Sequence, residues 1–318
     1  MNDGGRATGS GSSRVRLSSA ERVVFPEDGL TKRDIFDFYD AVADVLVPHL
    51  RDRPFTMKRY REGSVGPAFF QKQAPKGMPS WIETATFPTR TREGRERLVD
   101  FPLVDSRDAL LWMVQMHCID MNTWYSRVDE PERPDYVVFD LDPPDEGFAL
   151  GVRAARLVGD LMRELGLRAY AKASGADGMH VYVPIDRHHG FDETHAFAER
   201  ASHLLAARHP GVVTVEWLKA KREGVLLDYH QNGMGRTTAS VYSVRPKPGA
   251  TVSIPLHWDE LDDGLDRRQL TMERALRRIR DDGDLFAPVL AGGQTLEAAV
   301  RSLASVDLTG SPSDVADV

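Results

Sequence analysis

The segment Val137-Val138-Phe139-Asp140-Leu141-Asp142-Pro143-Pro144 constrains this chain more than any other. A short apolar run of this kind belongs in a sheet interior. Residues two apart on a strand point to the same face. Asp140 and Asp142 therefore project side by side, with Leu141 on the opposite face. The double proline cannot continue the ladder, so the strand stops there. Two carboxylates this close repel each other unless something positive sits between them, and a hard divalent cation with oxygen ligands answers that need. Capping of a loop or pairing with arginine is the competing reading. A third carboxylate, Asp228, ends the apolar strand Val225-Leu226-Leu227. Three carboxylates on adjacent strands suit two metal ions and in-line phosphoryl or nucleotidyl transfer.

The rest of the chain narrows the class. Hydrophobic residues make up 41% and charged residues 28%, an ordinary globular balance. No apolar run approaches the ~20 residues of a membrane helix, so no membrane association is expected. Cys118 is the one cysteine, which excludes an internal disulfide and a Cys-built metal centre. These features fit a cytoplasmic protein. The Gly/Ser-rich stretch 1–13 reads as a disordered tail, 14–304 as a single domain and 305–318 as a loose C-terminal tail. No GxxxxGK[ST] or GxGxxG pattern supports a P-loop or dinucleotide fold.

Periodicity predicts helices over Lys32–Leu46, Arg107–Met116, Leu150–Leu165, Glu193–Ala207 and Met272–Arg280. Strands are expected at Phe55–Tyr60, Ala68–Gln73, Ile82–Pro88, Arg97–Phe101, Tyr136–Leu141, Arg168–Ala173, His180–Pro184, Val212–Glu216 and Val225–Tyr229. Strands and helices interleave, so the class is α/β or α+β.

Ser174-Gly175-Ala176-Asp177-Gly178-Met179-His180 joins two strands. Its glycines let backbone N–H groups turn toward an anion, with the Ser174 hydroxyl and His180 as further donors. An ordinary Gly-rich hairpin is the plainer alternative. Lys219-Ala220-Lys221-Arg222 and Arg245 flank Asp228 and can neutralise a triphosphate; a solvated surface is again the plainer reading. The net charge is −7, yet basic residues gather at Lys58–Arg61, at Lys72 and Lys76, and at Arg90–Arg97. Such clustering leaves room for a local basic groove on an acidic protein. Arg59 and Lys72 are candidate DNA contacts in it.

In combination and order, FPEDGLTKRDIFDFY, FFQK, VVFDLDPP, SGADGMHVYVP, LLDYHQN and YSVRPKPGA resemble the polymerase domain of bacterial DNA ligase D, of the archaeo-eukaryotic primase superfamily. The resemblance covers about Arg16 to Asp284, without an attached ligase or nuclease module, and so looks like a stand-alone member. It implies an α+β catalytic core with mixed and antiparallel sheets flanked by helices in two interlocked subdomains. It also implies a template-dependent nucleotidyltransferase that extends primers and fills gaps in DNA end joining.

By position, the resemblance makes Asp140, Asp142 and Asp228 the metal-binding catalytic carboxylates, with two ions of Mn²⁺ (or Mg²⁺). Ser174, His180, Lys58, Lys221, Gln231 and Arg245 match contacts to the incoming NTP or dNTP, ribonucleotides being readily used. Phe69 and Phe70 match an aromatic pair against the template strand, although paired aromatics are otherwise read as core. Lys32 and Arg22 match cations for a 5′-phosphate across a gap, and Ser19 stands beside them. Asn122 replaces a histidine that reaches the triphosphate, and Asp177 replaces a lysine, reversing the sign near the phosphates. Primer-template, gapped or broken DNA ends are the implied partners, with Ku and a separate ATP-dependent ligase by family analogy and a nucleoid-associated place in the cell. A metal-dependent phosphoesterase or nuclease, or a catalytically silent DNA-end-binding module, would use the same surface differently.

Overall fold

A computed structural model describes residues 13–90, 94–262 and 264–306. Two sheets carry the architecture. The larger has six strands in the order Val213–Thr214, Val225–Asp228, Tyr136–Asp142, Met179–Pro184, Tyr170–Ala173 and Pro255–Leu256. Its pairs are antiparallel except that Val213 and Thr214 run parallel to Val225 and Leu226. The smaller has four strands in the order Thr238–Ala239, Cys118–Thr123, Phe55–Arg59 and Phe69–Gln71, all antiparallel. Two further hairpins pair Val23–Phe25 with Leu30–Thr31 and Thr84–Arg90 with Glu96–Pro102.

Among the described residues six α-helices flank the sheets: Lys32–Leu50, Arg107–Gln115, Phe148–Glu164, Phe191–Arg208, Met272–Asp282 and Glu297–Ala304. The first begins at a full capping box, Thr31 accepting from the Asp34 backbone while the Asp34 carboxylate takes the Thr31 N–H. It also runs past its expected end, through Pro48 to Leu50. A proline this near the C-terminus removes the donor to the carbonyl four residues back. That residue, Asp44, is exposed, so water can replace the lost bond. Helices Phe148–Glu164 and Phe191–Arg208 pack on the six-stranded sheet. Their small buried residues, Gly151, Ala154, Ala155 and Gly159 on one and Ala198 and Ala201 on the other, allow close approach.

One continuous core runs from Val24 to Leu303. The mixed and antiparallel α+β architecture matches the expectation. Besides the two-residue strands Leu30–Thr31, Thr238–Ala239 and Pro255–Leu256, two longer elements were not anticipated. The strand Cys118–Thr123 follows directly on helix Arg107–Gln115 and is buried along its whole length, so it lacks the alternation that marks a half-exposed strand. The helix Glu297–Ala304 sits in a stretch to which the sequence reading assigned no element, and buries Ala299 and Leu303. Residues 1–12 and 307–318 of the expected tails, and residues 91–93 of the basic turn Arg90–Arg97, lie outside the described residues.

Candidate active site

The site is a ladder of side chains across the large sheet. Asp228 pairs with Asp140, Asp140 with His180, His180 with Lys172, and Lys172 with Pro255. Directly opposed residues present their side chains on one face. Three polar strands' worth of chemistry therefore lines up beside Asp140, and Asp142 follows two residues further along the same face. Asp140, Asp142 and Asp228 offer ligand oxygens that all lie within 4.8 Å of one another.

Crowding shapes their acidity. Burial and then the charges of Asp140 and Asp228 push Asp142 up. Burial raises Asp140, against Lys172 and Arg245, and burial followed by Asp140 raises Asp228. Three carboxylates that resist ionising together are a fit for a divalent cation, whose charge would relieve the repulsion. Asp228 is held by its own neighbours: the His230 N–H donates to Oδ1 at 3.1 Å and Gln231 Nε2 to Oδ2 at 3.2 Å. Gln231 thus orients a carboxylate and is absent from the residues lining the cleft.

On the other side of Asp140, His180 Nε2 lies 3.2 Å from Oδ1. Its Nδ1 is 2.7 Å from the Nζ of Lys172. Lys172 is wholly buried and also donates to the carbonyl of Ala239 at 2.9 Å and to Ser253 Oγ at 2.7 Å. Burial and Arg245 pull its ammonium well below the ordinary lysine value, against Asp140 and Asp120. Ala239 belongs to the small sheet, so Lys172 bolts the two sheets together behind the site.

A cleft of about 450 Å³ opens over this ladder. Lys58, Phe70 and Asn122 of the small sheet form one wall, Ser174–Gly178 and Arg245 another, and Lys219 and Arg222 a third. Its organiser is Asp120, a buried carboxylate on the unanticipated strand. Lys58 Nζ binds Asp120 Oδ2 at 2.7 Å, and Arg245 Nε lies 3.2 Å from Oδ1. One buried anion thereby fixes two cations facing the cleft. Asn122 is buried and donates to the Asp120 carbonyl at 2.9 Å. Asp120 was given no role from the sequence, because a single acidic residue carries no local signature of partners that lie far along the chain.

The Ser174–Gly178 loop is tighter than a free hairpin. Ser174 Oγ accepts from the N–H groups of Ala176 and Gly178, both at 3.1 Å, so its lone pairs serve the loop. The Ser174 carbonyl accepts from Arg245 at 2.7 Å. Asp177 was expected to turn the loop negative. Instead Lys247 at 2.8 Å and Arg267 both pair with it, and the pairs return the net local charge to positive.

Other expected residues fall in different places. Phe69 and Phe70 are 50% and 62% exposed on the edge strand, which excludes a core role. Lys58 stands 5.5 Å from the Phe70 ring centre and Arg61 5.5 Å from that of Phe69. Lys72 is exposed and Lys221 is exposed outside the cleft lining, where Lys219 and Arg222 stand instead. Arg59 is a buried clip, donating to the Met116 carbonyl and to Gln71 Oε1, each at 2.8 Å. Lys32 is buried too, its Nζ spent on the Ser18 carbonyl and on both oxygens of Gln115. Burial and Arg22 lower it to about 8. Exposed Arg22 donates to the Arg61 carbonyl, and exposed Ser19 adopts a left-handed φ of 53° nearby in sequence. Burial, then Lys32, Arg22, Arg59 and Arg61, hold His117 down to about 4. A second focus of positive charge thus surrounds His117, apart from the carboxylates.

Residues 31–286 match the family model of the LigD primase-polymerase domain. The multifunctional non-homologous end joining DNA repair protein LigD of Mycobacterium tuberculosis is 35% identical over 313 residues, 95% of this chain and 40% of that protein. The Pseudomonas aeruginosa LigD protein is 33% identical over 308 residues, 94% of this chain and 36% of that one. The chain therefore spans well under half of these relatives. Among solved structures, the polymerase domain from Mycobacterium tuberculosis ligase D in complex with DNA matches with a TM-score of 0.81 at 35% identity, covering 89% of this chain and all of that one.

Proposed function

The chain belongs to the LigD primase-polymerase domain family, a nucleotidyltransferase family, and from that premise we propose that it extends primers and fills gaps at broken DNA ends. The observation that carries this reading is the triad Asp140, Asp142 and Asp228 within 4.8 Å, beneath a cleft whose walls carry Lys58, Arg222 and Arg245, together with Lys219 paired to Asp145 at 3.0 Å. A pure binding module has no use for three carboxylates facing phosphate.

The residues divide the work. Asp140, Asp142 and Asp228 would hold two divalent ions, Mn²⁺ or Mg²⁺. Such ions, when bound, activate the primer 3′-hydroxyl and stabilise the leaving pyrophosphate. Lys58 and Arg245, fixed by Asp120, sit where they can neutralise the triphosphate of the incoming NTP or dNTP. His180, Ser174, Asn122, Lys219 and Arg222 complete that cradle, while Lys221 supplies charge at its rim and Gln231 steadies Asp228. Phe69 and Phe70 stack on template bases, a contact that tolerates any sequence. Arg22, with Lys32, Arg59 and Ser19 around it, receives the 5′-phosphate across the gap, and Lys72 adds a backbone contact. Ribonucleotides are accepted, and Ku and a separate ATP-dependent ligase act with the protein in a cytoplasmic, nucleoid-associated repair reaction.

The test is primer extension on a gapped duplex with a 5′-phosphate and Mn²⁺, comparing ribo- with deoxyribonucleotides. Extension by the native chain and none by Asp140→Ala/Asp142→Ala supports the polymerase reading. Strand shortening would assign the triad to a nuclease. DNA binding without any change in length would leave an end-binding module.

A further inference from the structure

The large exposed aromatic side chains among the described residues are Phe69, Phe70 and Trp217. The first two flank the cleft on the small-sheet side. Trp217 stands on the opposite side and plays no part in the site so far. It is 56% exposed, and so is Leu218 beside it. Two adjacent exposed apolar side chains beside the cleft form a candidate contact surface.

Trp217 is linked to the site by two contacts, one from its ring toward a carboxylate and one from its backbone to a cleft-wall cation. Its ring meets the His230 ring edge-on at 5.6 Å, and the His230 N–H donates to Asp228 Oδ1 at 3.1 Å. Its carbonyl accepts from Arg222 Nη2 at 3.0 Å, and Arg222 lines the cleft. The indole is thus one residue away from the triad through His230, and the Trp217 backbone is one residue away from a cleft wall through Arg222. Lys219, Lys221 and Arg222 follow it directly, with Glu223 the one exposed acid in that run; Lys219 pairs with Asp145 at 3.0 Å and Arg222 also donates to the Glu216 carbonyl at 3.3 Å, which leaves Lys221 as the exposed lysine without that pairing. Glu216, just before it, is turned inward to accept the Leu218 N–H at 2.8 Å. An exposed aromatic face followed by cations is the composition of a single-strand contact: rings for bases, cations for phosphates.

We propose that Trp217 is the stacking platform for the strand that supplies the 3′-hydroxyl, taking a base at or beside the primer terminus. The proposal rests on the polymerase reading and extends it. Phe69 and Phe70 serve one strand from one side of the cleft, and Trp217 serves the other strand from the far side. His230 sets the indole plane, and the basic run neutralises the phosphates just upstream of the terminal sugar.

Tryptophan emission reads this directly. Trp112 and Trp124 are buried, and Trp81 and Trp258 are partly buried, so the native-minus-Trp217→Phe difference spectrum isolates Trp217. A template strand alone should leave that difference unchanged, and annealing a primer whose 3′ end reaches the gap should quench it. Trp217→Ala should weaken binding of the primed substrate about 5- to 150-fold, Trp217→Phe should restore most of it, and binding of the unprimed template should stay as in the native chain. Quenching by template alone, or equal primed-substrate affinity in the native and Trp217→Ala chains, would overturn the assignment. These are binding readouts. A native chain that quenches on primer but never extends it would sink the polymerase reading while leaving Trp217 as a primer contact.

Discussion

At the scale of single residues, the protonation of His180 follows from its partners. Lys172 must donate to the Ala239 carbonyl, and it must donate to Ser253 Oγ because that hydroxyl gives its own proton to the Ala173 carbonyl. The third contact is His180 Nδ1. If Nδ1 carried the proton, a bare Nε2 would face the Asp140 carboxylate at 3.2 Å. The favourable arrangement puts the proton on Nε2, with Nδ1 accepting from Lys172. Lys172 is therefore a positioning residue, as partners behind functional histidines commonly are. Lys172→Met should reduce kcat about 10- to 100-fold and change the ¹⁵N shifts of the His180 ring from the Nε2–H pattern toward a mixture. A loss of activity with those shifts unchanged would mean that Lys172 matters only as the bolt between the sheets.

The carboxylates themselves make a pH prediction. Asp142 is pushed up to about 7, and Asp140 and Asp228 move in the same direction. A group whose pKa is higher folded than unfolded binds more protons in the native state through that window, so stability falls as pH rises. Between about pH 4 and about 7 the triad thus subtracts stability from the metal-free protein. A divalent ion cancels this, because it binds the ionised triad. Thermal melts at pH 5 and pH 8 with and without Mn²⁺ should give a small rise in Tm at the lower pH and a larger one at the higher. Asp140→Asn/Asp142→Asn should flatten the difference and raise the metal-free Tm at pH 8.

At the scale of elements, the turn between the strands Tyr170–Ala173 and Met179–Pro184 depends on glycine. A Cβ on Gly178 would stand 2.3 Å from the carbonyl oxygen of Leu141, the residue between Asp140 and Asp142. Nothing flexible can yield there, so the strand or the loop must shift. Gly178→Ala should destabilise by about 1–3 kcal/mol in a denaturant melt and weaken Mn²⁺ binding together with it. Gly94→Ala, in a turn with nothing near its Cβ but with φ of +77°, controls for backbone strain and should spare the metal affinity.

The same element shows how far the chain could be read. Asp140, Asp142 and Asp228 were legible because strand alternation and a proline stop are local rules. The loop's glycines were legible for the same reason. Asp120 was not, since the strand Cys118–Thr123 is buried on both faces and its partners, Lys58 and Arg245, come from 62 and 125 residues away. Nor was the neutralisation of Asp177, which depends on Lys247 and Arg267 arriving from 70 and 90 residues further on. Pairing across such distances is set by the packing of the two sheets, and no window of sequence contains it.

At the scale of the whole molecule, an acidic protein must bind an acidic polymer through where its charges sit. The net charge is −7, yet cations gather at two foci: the cleft over the carboxylates and the surroundings of His117. Each phosphate neutralised by such a focus releases counterions, so log K falls with log salt at about −0.9 per contact on duplex DNA. In the second focus Lys32 is buried and spent on backbone and Gln115 oxygens, and Arg59 is a clip. Arg22 and Arg61 are the exposed cations left there, Arg61 lying over the Phe69 ring at 5.5 Å, so Arg22 is the candidate to meet a terminal phosphate beside a His117 that stays neutral. Arg22→Ala should therefore lower the magnitude of the salt slope by about one on a gapped duplex bearing a 5′-phosphate, and leave the slope unchanged on the same duplex without it. Equal slopes for both chains on the phosphorylated gap would remove Arg22 from the interface. An equal drop on both duplexes would make it a general backbone contact, and the phosphate would have to be read by the cleft instead.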